Sequence, residues 1–374
     1  MRIVALIPSL RIGGAERSLV KLLNVIAPWV QRVDLICLSS IDSRVAAQLP
    51  AGVAIYAMNA RSSASPWLWL KVARRLRALR PDVVIGWSTY ANLVAVLASR
   101  LAPSARVVLS ERNYMPQMLS RRHCSPLRRA VVITLIRWLY PMADVVTANS
   151  RRSTRFLKRY LKGRSEFCTL PNAVEIAHLK AKADEAMPQI EWGPGPRIVA
   201  IGRLDYQKGF DVLLRAWAIV RPKRPEWELA LIGDGPEGPA LRALCADLGI
   251  EPSVHWLGET DNPFPYYKWA DIVVVPSRFE GFPNVPLEAM ALGKAVICSD
   301  CRTGPRELTC DGQYGWLVPV NDSEKLAQAI LAAGASPQAM REMGRRAQSY
   351  VLSTYEAAAV ECQYLAALGV VASG

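Results

Sequence analysis

Residues 271–288 read DIVVVPSRFEGFPNVPLE, and they contain a strand, a turn and the start of a helix. The run 271–275, rich in β-branched residues, predicts a buried strand, and a helix follows the Gly-Phe-Pro turn. Glu280 lies in that turn and Glu288 lies about one turn into the helix, so both carboxylates can face one cleft. A carboxylate accepts hydrogen bonds from two hydroxyls, which suits recognition of a ribose or a hexose. Taken singly, Glu280 could be an exposed loop acid and Glu288 a residue of the helix face.

A second turn with charged residues precedes this stretch. The predicted strand 198–201 runs into GRLDYQKG at residues 202–209, directly before a helical pattern. Arg203 and Lys208 therefore lie at the carboxyl edge of the sheet, where ligands of such folds commonly bind. Two fixed cations beside a helix N-terminus would stabilise the negative charge that develops as a nucleotide leaves. The same spacing also fits a solvated turn with two exposed charges.

The rest of the chain repeats this strand–turn–helix unit in two halves. Short apolar runs separated by helical stretches predict parallel βαβ crossovers, and so an α/β fold with two doubly wound sheets. Ligands of such folds bind at the carboxyl ends of strands, and two successive sheets imply a cleft between them. The predicted strands are 3–7, 33–38, 82–86, 106–109 and 144–148 in the first half, and 198–201, 228–232, 254–256, 271–275 and 295–298 in the second.

The boundary between the halves is predicted at a Pro- and Gly-rich stretch. Residues 188–196 read PQIEWGPGP, which is typical of a linker. We therefore expect one domain over 1–187 and a second over 188–352. The C-terminal helix, at about 353–374, is expected to pack back on the first domain.

Several motifs together resemble glycosyltransferase family 4, which has the GT-B fold of two facing Rossmann-like domains. The paired glutamates lie in EGFPNVPLEAMALGKAVI, residues 280–297, which is similar to the family signature. GRL-x4-G at 202–209 resembles the family's diphosphate loop, and GGAER at 13–17 resembles its N-terminal glycine loop. Two shorter matches are Pro-Asn at 171–172 and GDGP at 233–236. The matches occur in family order, which makes the combination specific.

The resemblance implies roles for individual residues. Arg203 and Lys208 would bind the donor diphosphate and act in catalysis with Glu280, which would contact the donor hexose. Glu288 would bind the ribose hydroxyls of a nucleotide-sugar donor. The other residues implied at the donor site are Gly13, Gly14, Gly202, Gly233, Gly281, Phe282, Pro283, Asn284 and Val285. The family retains anomeric configuration and typically works without a metal or another cofactor, and no D-x-D motif occurs at the expected sites.

A basic, aliphatic stretch at 115–140 suits an anionic membrane surface. Five arginines are interleaved there with leucine, isoleucine, valine and tryptophan, although a core helix with one basic face would give the same pattern. No aromatic platform accompanies the arginines, which disfavours nucleic acid as a partner. The residues predicted to contact acceptor or lipid are Glu111, Arg112, Arg121, Arg122, Arg128 and Arg129.

Two further turns resemble one subgroup of the family. SDCRTGPREL at 299–308 and SERN at 110–113 are similar to stretches of transferases that extend polyprenyl-diphosphate-linked glycans. That subgroup includes the N-acetylgalactosamine transferases of bacterial protein N-glycosylation, which are peripheral membrane proteins that use UDP-linked hexosamines. The resemblance therefore implies a UDP-sugar donor, a lipid-linked glycan acceptor and the inner face of the cell membrane as partners.

The charge distribution agrees with a peripheral protein. Residues 1–190 carry 29 basic and 10 acidic side chains, a net charge of +19, whereas residues 191–374 carry 17 and 22, a net charge of −5. Such a field attracts anionic lipid, a diphosphate-bearing acceptor or nucleic acid. No stretch reaches the roughly 20 consecutive apolar residues that span a bilayer. The N-terminus shows no signal-peptide cleavage site, so we expect a cytoplasmic protein.

Two other motifs suggest different chemistry. GDGPEG at 233–238 satisfies the dinucleotide fingerprint, but its proline stands where backbone N–H groups should hold a pyrophosphate. Cys298 and Cys301 form a C-x-x-C without the further ligands of a zinc site, so buried thiols in a reduced cytosol are favoured. Two alternative functions stay open. One is a nucleotide-sugar epimerase with the same two-domain fold, and the other is a non-catalytic basic protein that binds membranes.

Overall fold

The chain of the computed structural model divides into two units of parallel α/β structure. The first consists of Met1–Ala173 together with the chain from Ala357 onward, and the second is Val174–Glu356. The residues whose structure is described are 1–11, 13–60, 65, 67–102, 105–112, 114–115, 125–187, 190–301 and 303–370.

The first unit is built on a parallel sheet of seven strands. They are β1 (Arg2–Ile7), β2 (Arg32–Cys37), β3 (Ala54–Ala57), β4 (Val83–Trp87), β5 (Arg106–Glu111), β6 (Val145–Ala148) and β7 (Glu166–Thr169). Their order is β3-β2-β1-β4-β5-β6-β7, and every neighbouring pair is parallel. The order of connection reverses between β1 and β4, which makes that pair the switch point where ligands of doubly wound folds bind.

Helices complete the first unit. They are α1 (Gly14–Ile26), α2 (Ser43–Ala46), α3 (Leu68–Leu79), α4 (Thr89–Ser99), α5 (Pro126–Leu139) and α6 (Arg151–Tyr160). A C-terminal helix, Ala357–Leu368, also belongs to this unit, since its Val360 and Leu365 lie in the same apolar cluster as Ile3 of β1. The hydroxyl of Tyr364 on that helix donates to the carbonyl oxygen of Pro171.

The second unit has a parallel sheet of six strands. They are β8 (Arg197–Ile201), β9 (Glu228–Ile232), β10 (Val254–Trp256), β11 (Ile272–Val275), β12 (Ala295–Ser299) and β13 (Trp316–Val318). Their order is β10-β9-β8-β11-β12-β13, again parallel throughout. This is the strand order of a Rossmann fold, and its switch point lies between β8 and β11.

In the second unit one helix precedes the first strand, and the others lie between strands or after the last one. They are α7 (Ile176–Ala183), α8 (Phe210–Val220), α9 (Gly238–Asp247), α10 (Phe264–Trp269), α11 (Asn284–Ala291), α12 (Pro305–Leu308), α13 (Ser323–Gly334) and α14 (Pro337–Tyr355). Within the described parts of both units, no helix combines the length and apolar character that crossing a membrane would require.

Apolar side chains cover both faces of each sheet. Along β1, Val4 and Leu6 join one buried cluster while Ile3 and Ile7 join another. In β8, Ile198 joins one cluster and its neighbour Val199 the other, because successive side chains of a strand point to opposite faces. Strands buried on both faces need near-continuous apolar runs, which is the pattern that the sequence shows.

The division between the units differs from the boundary predicted at 187/188. The segment from Val174 to Met187 belongs to the second unit, because Val174 and Leu179 pack in the same cluster as Phe264. Val174 also pairs with Glu356 in a parallel bridge, which ties the two ends of the second unit together. The Pro- and Gly-rich stretch therefore lies inside the second unit.

Candidate functional site

The turns that follow β8 and β11 carry the charged residues singled out from the sequence. Because these strands are neighbours and parallel, both turns leave the carboxyl edge of the sheet at its switch point. The diphosphate turn is defined here as residues 202–209, and the sugar loop as residues 276–283. The fold therefore brings together two motifs that are far apart in the sequence.

The diphosphate turn is a single tight helical turn held by its own polar groups. The carboxylate of Asp205 accepts the backbone N–H of Lys208 at 3.2 Å and caps the turn Tyr206–Lys208. Gly209 follows with φ of 67° and is the N-cap of α8. A Cβ at Gly209 would overlap the carbonyl oxygen of Pro276, so only glycine lets the turn approach the sugar loop this closely.

Lys208 and Glu280 form an ion pair across the two loops. Lys208 Nζ donates to Glu280 Oε1 at 2.7 Å, and Ser277 Oγ donates to the same oxygen, also at 2.7 Å. The side chain of Glu280 is only 8% exposed, whereas that of Lys208 is 24% exposed. The carboxylate is therefore fixed, and the ammonium lies at the edge of the site where a ligand can reach it.

Arg203 is the exposed cation of the diphosphate turn. Its side chain is 71% exposed, and its Nε lies 3.8 Å from Asp205 Oδ2, at the outer limit of an ion pair. A guanidinium in this situation can turn towards an anionic ligand at little cost, since a weak exposed pair contributes little free energy.

Most residues of the sugar loop are buried. The ring of Phe282 is buried, with its centroid 5.2 Å from that of Tyr355, so it fills the core. Thr303 Oγ1 donates to the carbonyl oxygen of Glu280, and Gly304, with φ of 73°, packs against Gly281. The loop is thus held from behind by the turn after β12. Gly281 and Pro283 of the loop are buried, as is Asn284 directly after it, and Val285 is half-buried.

Glu288 lies on α11, just beyond its first turn, as the sequence predicts. Its side chain is completely buried. The helix begins at Asn284 directly after Pro283, so the sugar loop and Glu288 are parts of one continuous strand–loop–helix segment.

The glycines after β9 serve close backbone packing. Gly233 has φ of 140°, and a Cβ there would overlap the carbonyl oxygen of Gly202. A Cβ at Gly235 would overlap the carbonyl oxygen of Leu204, which also accepts the N–H of Glu237 at 2.9 Å. The pattern that satisfied a dinucleotide fingerprint is thus explained by contact with the diphosphate turn.

The glycine loop of the first unit follows β1, at the switch point of its own sheet. Gly13 is the N-cap of α1, Gly14 is its first residue, and a Cβ at Gly13 would overlap the carboxylate of Glu16. Trp87, the last residue of β4, donates its indole N–H to the carbonyl oxygen of Ala15 at 2.8 Å. The start of α1 is therefore anchored to the neighbouring strand.

Glu111, whose contact with the acceptor stays a prediction, is buried within the first unit. Thr89 Oγ1 donates to both carboxylate oxygens at 3.0 and 2.9 Å, and the Tyr140 hydroxyl donates to Oε2 at 2.9 Å. Burial first, and then the charge of Glu111, raise the pKa of Tyr140 well above its usual value, so the hydroxyl remains a donor.

Arg112, which has the same predicted role, is equally enclosed. Its guanidinium donates to Asn172 Oδ1 and, at 3.3 Å, to the carbonyl oxygen of Leu170. It also lies 4.3 Å from the centroid of the Trp87 ring. Internal hydrogen bonds hold both side chains in the interior, and their predicted contact with the acceptor rests on the resemblance of residues 110–113 to one subgroup of the family.

The other predicted acceptor residues lie on or before α5. Arg128 is exposed and donates to the Tyr90 hydroxyl at 2.6 Å, and Arg129 is half-buried. Arg121 and Arg122 lie outside the described residues.

Two family models match the chain, one mainly over the first unit and the other within the second. The family model described as Glycosyltransferase Family 4 matches residues 12–178, and the one described as Glycosyl transferases group 1 matches residues 195–335. The chain belongs to glycosyltransferase family 4. It is an enzyme that transfers a sugar from a nucleotide sugar.

Individual relatives of this family-4 transferase cover nearly its whole length. It is 28% identical to the N-acetylgalactosamine-N,N'-diacetylbacillosaminyl-diphospho-undecaprenol 4-alpha-N-acetylgalactosaminyltransferase of Campylobacter jejuni, over 86% of this chain and 87% of that one. It is 27% identical to the lipopolysaccharide core biosynthesis glycosyltransferase LpsE of Rhizobium meliloti, over 94% of this chain and 95% of that one. The structure of HepE from Anabaena in complex with UDP-glucose superposes with a TM-score of 0.80 and 21% sequence identity, over 99% of this chain and 100% of that one. The fold is therefore GT-B.

The C-x-x-C of the transferase lies beside the sugar loop. Cys298 and Cys301 are both buried, and burial, followed by the negative charge of Glu280, raises the pKa of each thiol. Both are therefore protonated, and Cys301 Sγ donates to the carbonyl oxygen of Ser277 at 3.0 Å. Among the described residues, no group of three or more His, Cys, Asp or Glu side chains could hold a metal ion.

Two residues of the site were missed from the sequence. Ser277 lies three residues before Glu280 and two after the end of β11, and a hydroxyl at this spacing can reach the carboxylate, so the sequence did contain a local indication of the contact. Thr303 lies 23 residues after Glu280, and nothing local to it indicates that it would bind the sugar loop.

Proposed function

We propose that the protein is a retaining transferase that moves a hexosamine, with N-acetylgalactosamine favoured, or a hexose from a UDP-sugar to a polyprenyl-diphosphate-linked glycan. The product would enter the assembly of a cell-surface polysaccharide or glycoprotein glycan. The observation that carries this proposal is the Lys208–Glu280 pair beside exposed Arg203 at the switch point of the second unit. It unites two cations for a diphosphate with a fixed carboxylate for sugar hydroxyls.

In this proposal the donor diphosphate lies against the diphosphate turn. Arg203 and Lys208 bind its oxygens, and the N-terminus of α8 adds the partial positive charge of its free N–H groups. Glu280 accepts hydrogen bonds from hexose hydroxyls, while the backbone of the sugar loop lines the sugar. The assignment of the ribose hydroxyls to Glu288 rests on the family resemblance, because that side chain is fully buried.

The proposed reaction breaks the bond between the anomeric carbon and the β-phosphate oxygen. An acceptor hydroxyl attacks from the same face, and its proton passes to the departing phosphate oxygen, so the configuration is retained. Negative charge grows on the diphosphate as it leaves, and the two cations stabilise that charge more in the transition state than in the bound donor. Side-chain cations thus supply the charge that a metal supplies elsewhere, which supports a metal-independent reaction.

Two observations support a lipid-linked acceptor. The Campylobacter jejuni relative, similar over most of both chains, is named for action on a diphospho-undecaprenol-linked sugar. The net charge of +19 over residues 1–190 also suits an acceptor that carries a diphosphate.

The exposed face of α5 supports peripheral attachment to an anionic membrane. Leu127, Val131, Leu135 and Trp138 are 77%, 50%, 38% and 75% exposed, and their spacing of three or four residues puts them on one face. Basic side chains accompany them on α5, and residues 151–164 add seven cations and no acid. An apolar stripe with a basic surround is the composition of helices that lie in the membrane interface.

Transfer can be tested with a panel of UDP-sugars and a membrane lipid extract as acceptor. We expect one UDP-sugar to label the organic phase, and we expect Glu280→Gln and Arg203→Ala to abolish that labelling. Label found only in water-soluble glycans would remove the lipid acceptor, and a free isomerised sugar would point to an epimerase. No turnover of any donor, or unchanged transfer by Arg203→Ala, would refute the proposed function.

Membrane attachment can be tested by sedimentation with phosphatidylglycerol-containing vesicles and with neutral vesicles. We expect binding only to the anionic vesicles, and we expect Trp138→Ser to weaken it about tenfold, since an interfacial tryptophan contributes about the burial of one large side chain. Trp67→Ser is the matched control, because Trp67 is 69% exposed in the same unit but lies outside α5. Equal losses in the two variants would exclude α5 as the attachment face.

A further inference from the structure

Arg278 joins several segments of the second unit around the candidate donor site. Its guanidinium pairs with Asp211 through two hydrogen bonds, Nη1–Oδ1 at 2.8 Å and Nη2–Oδ2 at 2.6 Å. Nη1 also donates to the carbonyl oxygen of Tyr206 at 2.9 Å, and Nε donates to Asn321 Oδ1 at 2.7 Å. The guanidinium carbon lies 4.1 Å from the centroid of the Tyr206 ring. One side chain therefore holds the sugar loop, the diphosphate turn, the start of α8 and the turn before α13.

Backbone contacts reinforce this connection. The N–H of Arg278 donates to the carbonyl oxygen of Gln207 at 2.7 Å, and Gln207 Nε2 donates to the carbonyl oxygen of Phe279 at 3.0 Å. These bonds lie immediately beside Lys208 and Glu280 in the two segments. The position of the ammonium relative to the carboxylate thus depends on contacts that converge on Arg278.

The pair also changes the charge next to the diphosphate turn. Asp211 is the second residue of α8, in the first helical turn, close to where an anion at the helix N-terminus would lie. Burial acts to raise the pKa of Asp211, but the hydrogen bonds and charge of Arg278 outweigh it, so the pKa is lowered and the carboxylate is ionised at neutral pH. Without Arg278, this negative charge would repel a bound diphosphate.

We propose that Arg278 is a positioning residue for the donor diphosphate. It keeps the diphosphate turn in register with the sugar loop, and it cancels the charge of Asp211 beside the anion. The inference rests on the proposed function only in requiring that the second unit binds a nucleoside diphosphate.

The test measures UDP binding by titration calorimetry for wild type, Arg278→Met and Arg278→Lys. We expect Arg278→Met to raise the Kd for UDP about tenfold, at the low end of what losing charge-assisted hydrogen bonds costs. Arg278→Lys should recover part of the loss, since it restores the charge but not the bidentate geometry. Uridine, followed by ligand-observed NMR, should bind both variants as it binds wild type, because it carries no phosphate.

Arg197→Met is the matched control. Arg197 makes the same kind of bidentate pair, with Asp271 at 2.9 Å for both bonds, but at the amino end of β8, away from the diphosphate turn. We expect Arg197→Met to lower Tm about as much as Arg278→Met does and to leave the Kd for UDP unchanged. The double variant Arg278→Met with Asp211→Asn should bind UDP more tightly than Arg278→Met alone, because the uncompensated carboxylate is gone.

Each outcome bears on the inference. Unchanged UDP affinity in Arg278→Met, equal losses for UDP and uridine, or no recovery in the double variant would overturn it. If wild type binds GDP instead of UDP, the uracil part of the proposed function fails, and the same comparison with GDP decides the role of Arg278. If wild type binds neither nucleotide, both the proposed function and this inference fail.

Discussion

The Lys208–Glu280 pair allows stability and catalysis to be separated by three variants. In Lys208→Met, the carboxylate of Glu280 stays buried and loses its ion pair. It keeps the hydrogen bond from Ser277 Oγ to Glu280 Oε1, at 2.7 Å. At a separation of 2.7 Å, two unit charges attract by about 1.5 kcal/mol in bulk water and by about 6 kcal/mol at an effective dielectric constant of about 20.

The net loss of stability should lie near the lower of these values. Lys208 is 24% exposed, and the attraction is partly offset by the desolvation of both charges, so we expect Lys208→Met to lower the free energy of unfolding by about 2 kcal/mol. For a unit of this size, that corresponds to a fall in Tm of about 4–8 °C. Glu280→Gln should cost about half as much, because Lys208 can turn to water. The double variant Lys208→Met with Glu280→Gln should return to within about 1 kcal/mol of wild type, since no unpaired buried charge remains.

Activity should respond differently. Each variant removes a group that we assign to the donor, so kcat/KM for transfer should fall at least about a hundredfold in all three, including the double variant. Scanning calorimetry measures the stability, and transfer from the UDP-sugar measures the activity. Recovery of activity together with stability in the double variant would show that the pair is a structural contact only. An unchanged Tm in Lys208→Met would show that the pair contributes nothing to the fold.

Two further predictions concern the fold around the diphosphate turn. Gly233→Ala should lower the free energy of unfolding by about 3 kcal/mol, because φ is 140° and the new Cβ would overlap the carbonyl oxygen of Gly202. Gly249→Ala, where φ is 64° and the space is open, should cost only about 1 kcal/mol, and equal losses in urea unfolding would contradict this reasoning. Because the pKa of Asp211 is lowered on folding, the stability of its pair with Arg278 is fully present above the unfolded carboxyl pKa of about 3.9 and is lost as the pH falls through the folded value. The Tm difference between wild type and Arg278→Met should therefore be constant from about pH 8 to pH 5 and shrink below about pH 4. A Tm difference that grows in acid would refute this account of the Asp211–Arg278 pair.

Central strands were all predictable from sequence, whereas of the four edge strands only β10 was predicted, at 254–256. The three strands missing from the prediction are β3, β7 and β13, and each lies at an edge of its sheet. Their side chains are mostly half-buried, so they lack the continuous apolar runs that mark strands covered on both faces. The C-terminal helix predicted from about residue 353 begins only at Ala357, because the backbone is extended at Glu356 and pairs there with Val174. That boundary depends on a residue distant in sequence, and no local pattern encodes it.

The candidate site shows the same limit. The positions of Arg203, Lys208 and Glu280 at strand ends followed from local patterns and from the family resemblance. The pairing of Lys208 with Glu280 joins residues 72 positions apart, and sequence spacing cannot give it. The surroundings of Glu111 show the same limit, since its hydroxyl donors, Thr89 and Tyr140, lie 22 and 29 positions away in the sequence.

The C-terminal helix Ala357–Leu368 has a consequence for the order of folding during synthesis. The second unit is one continuous segment, so all of it can fold once the ribosome has released residues up to Glu356. The first unit must wait for Val360 and Leu365 to cover the apolar face that includes Ile3. The half of the molecule that is translated first should therefore be the half that finishes folding last. Until the helix docks, nascent chains should present that uncovered face to chaperones.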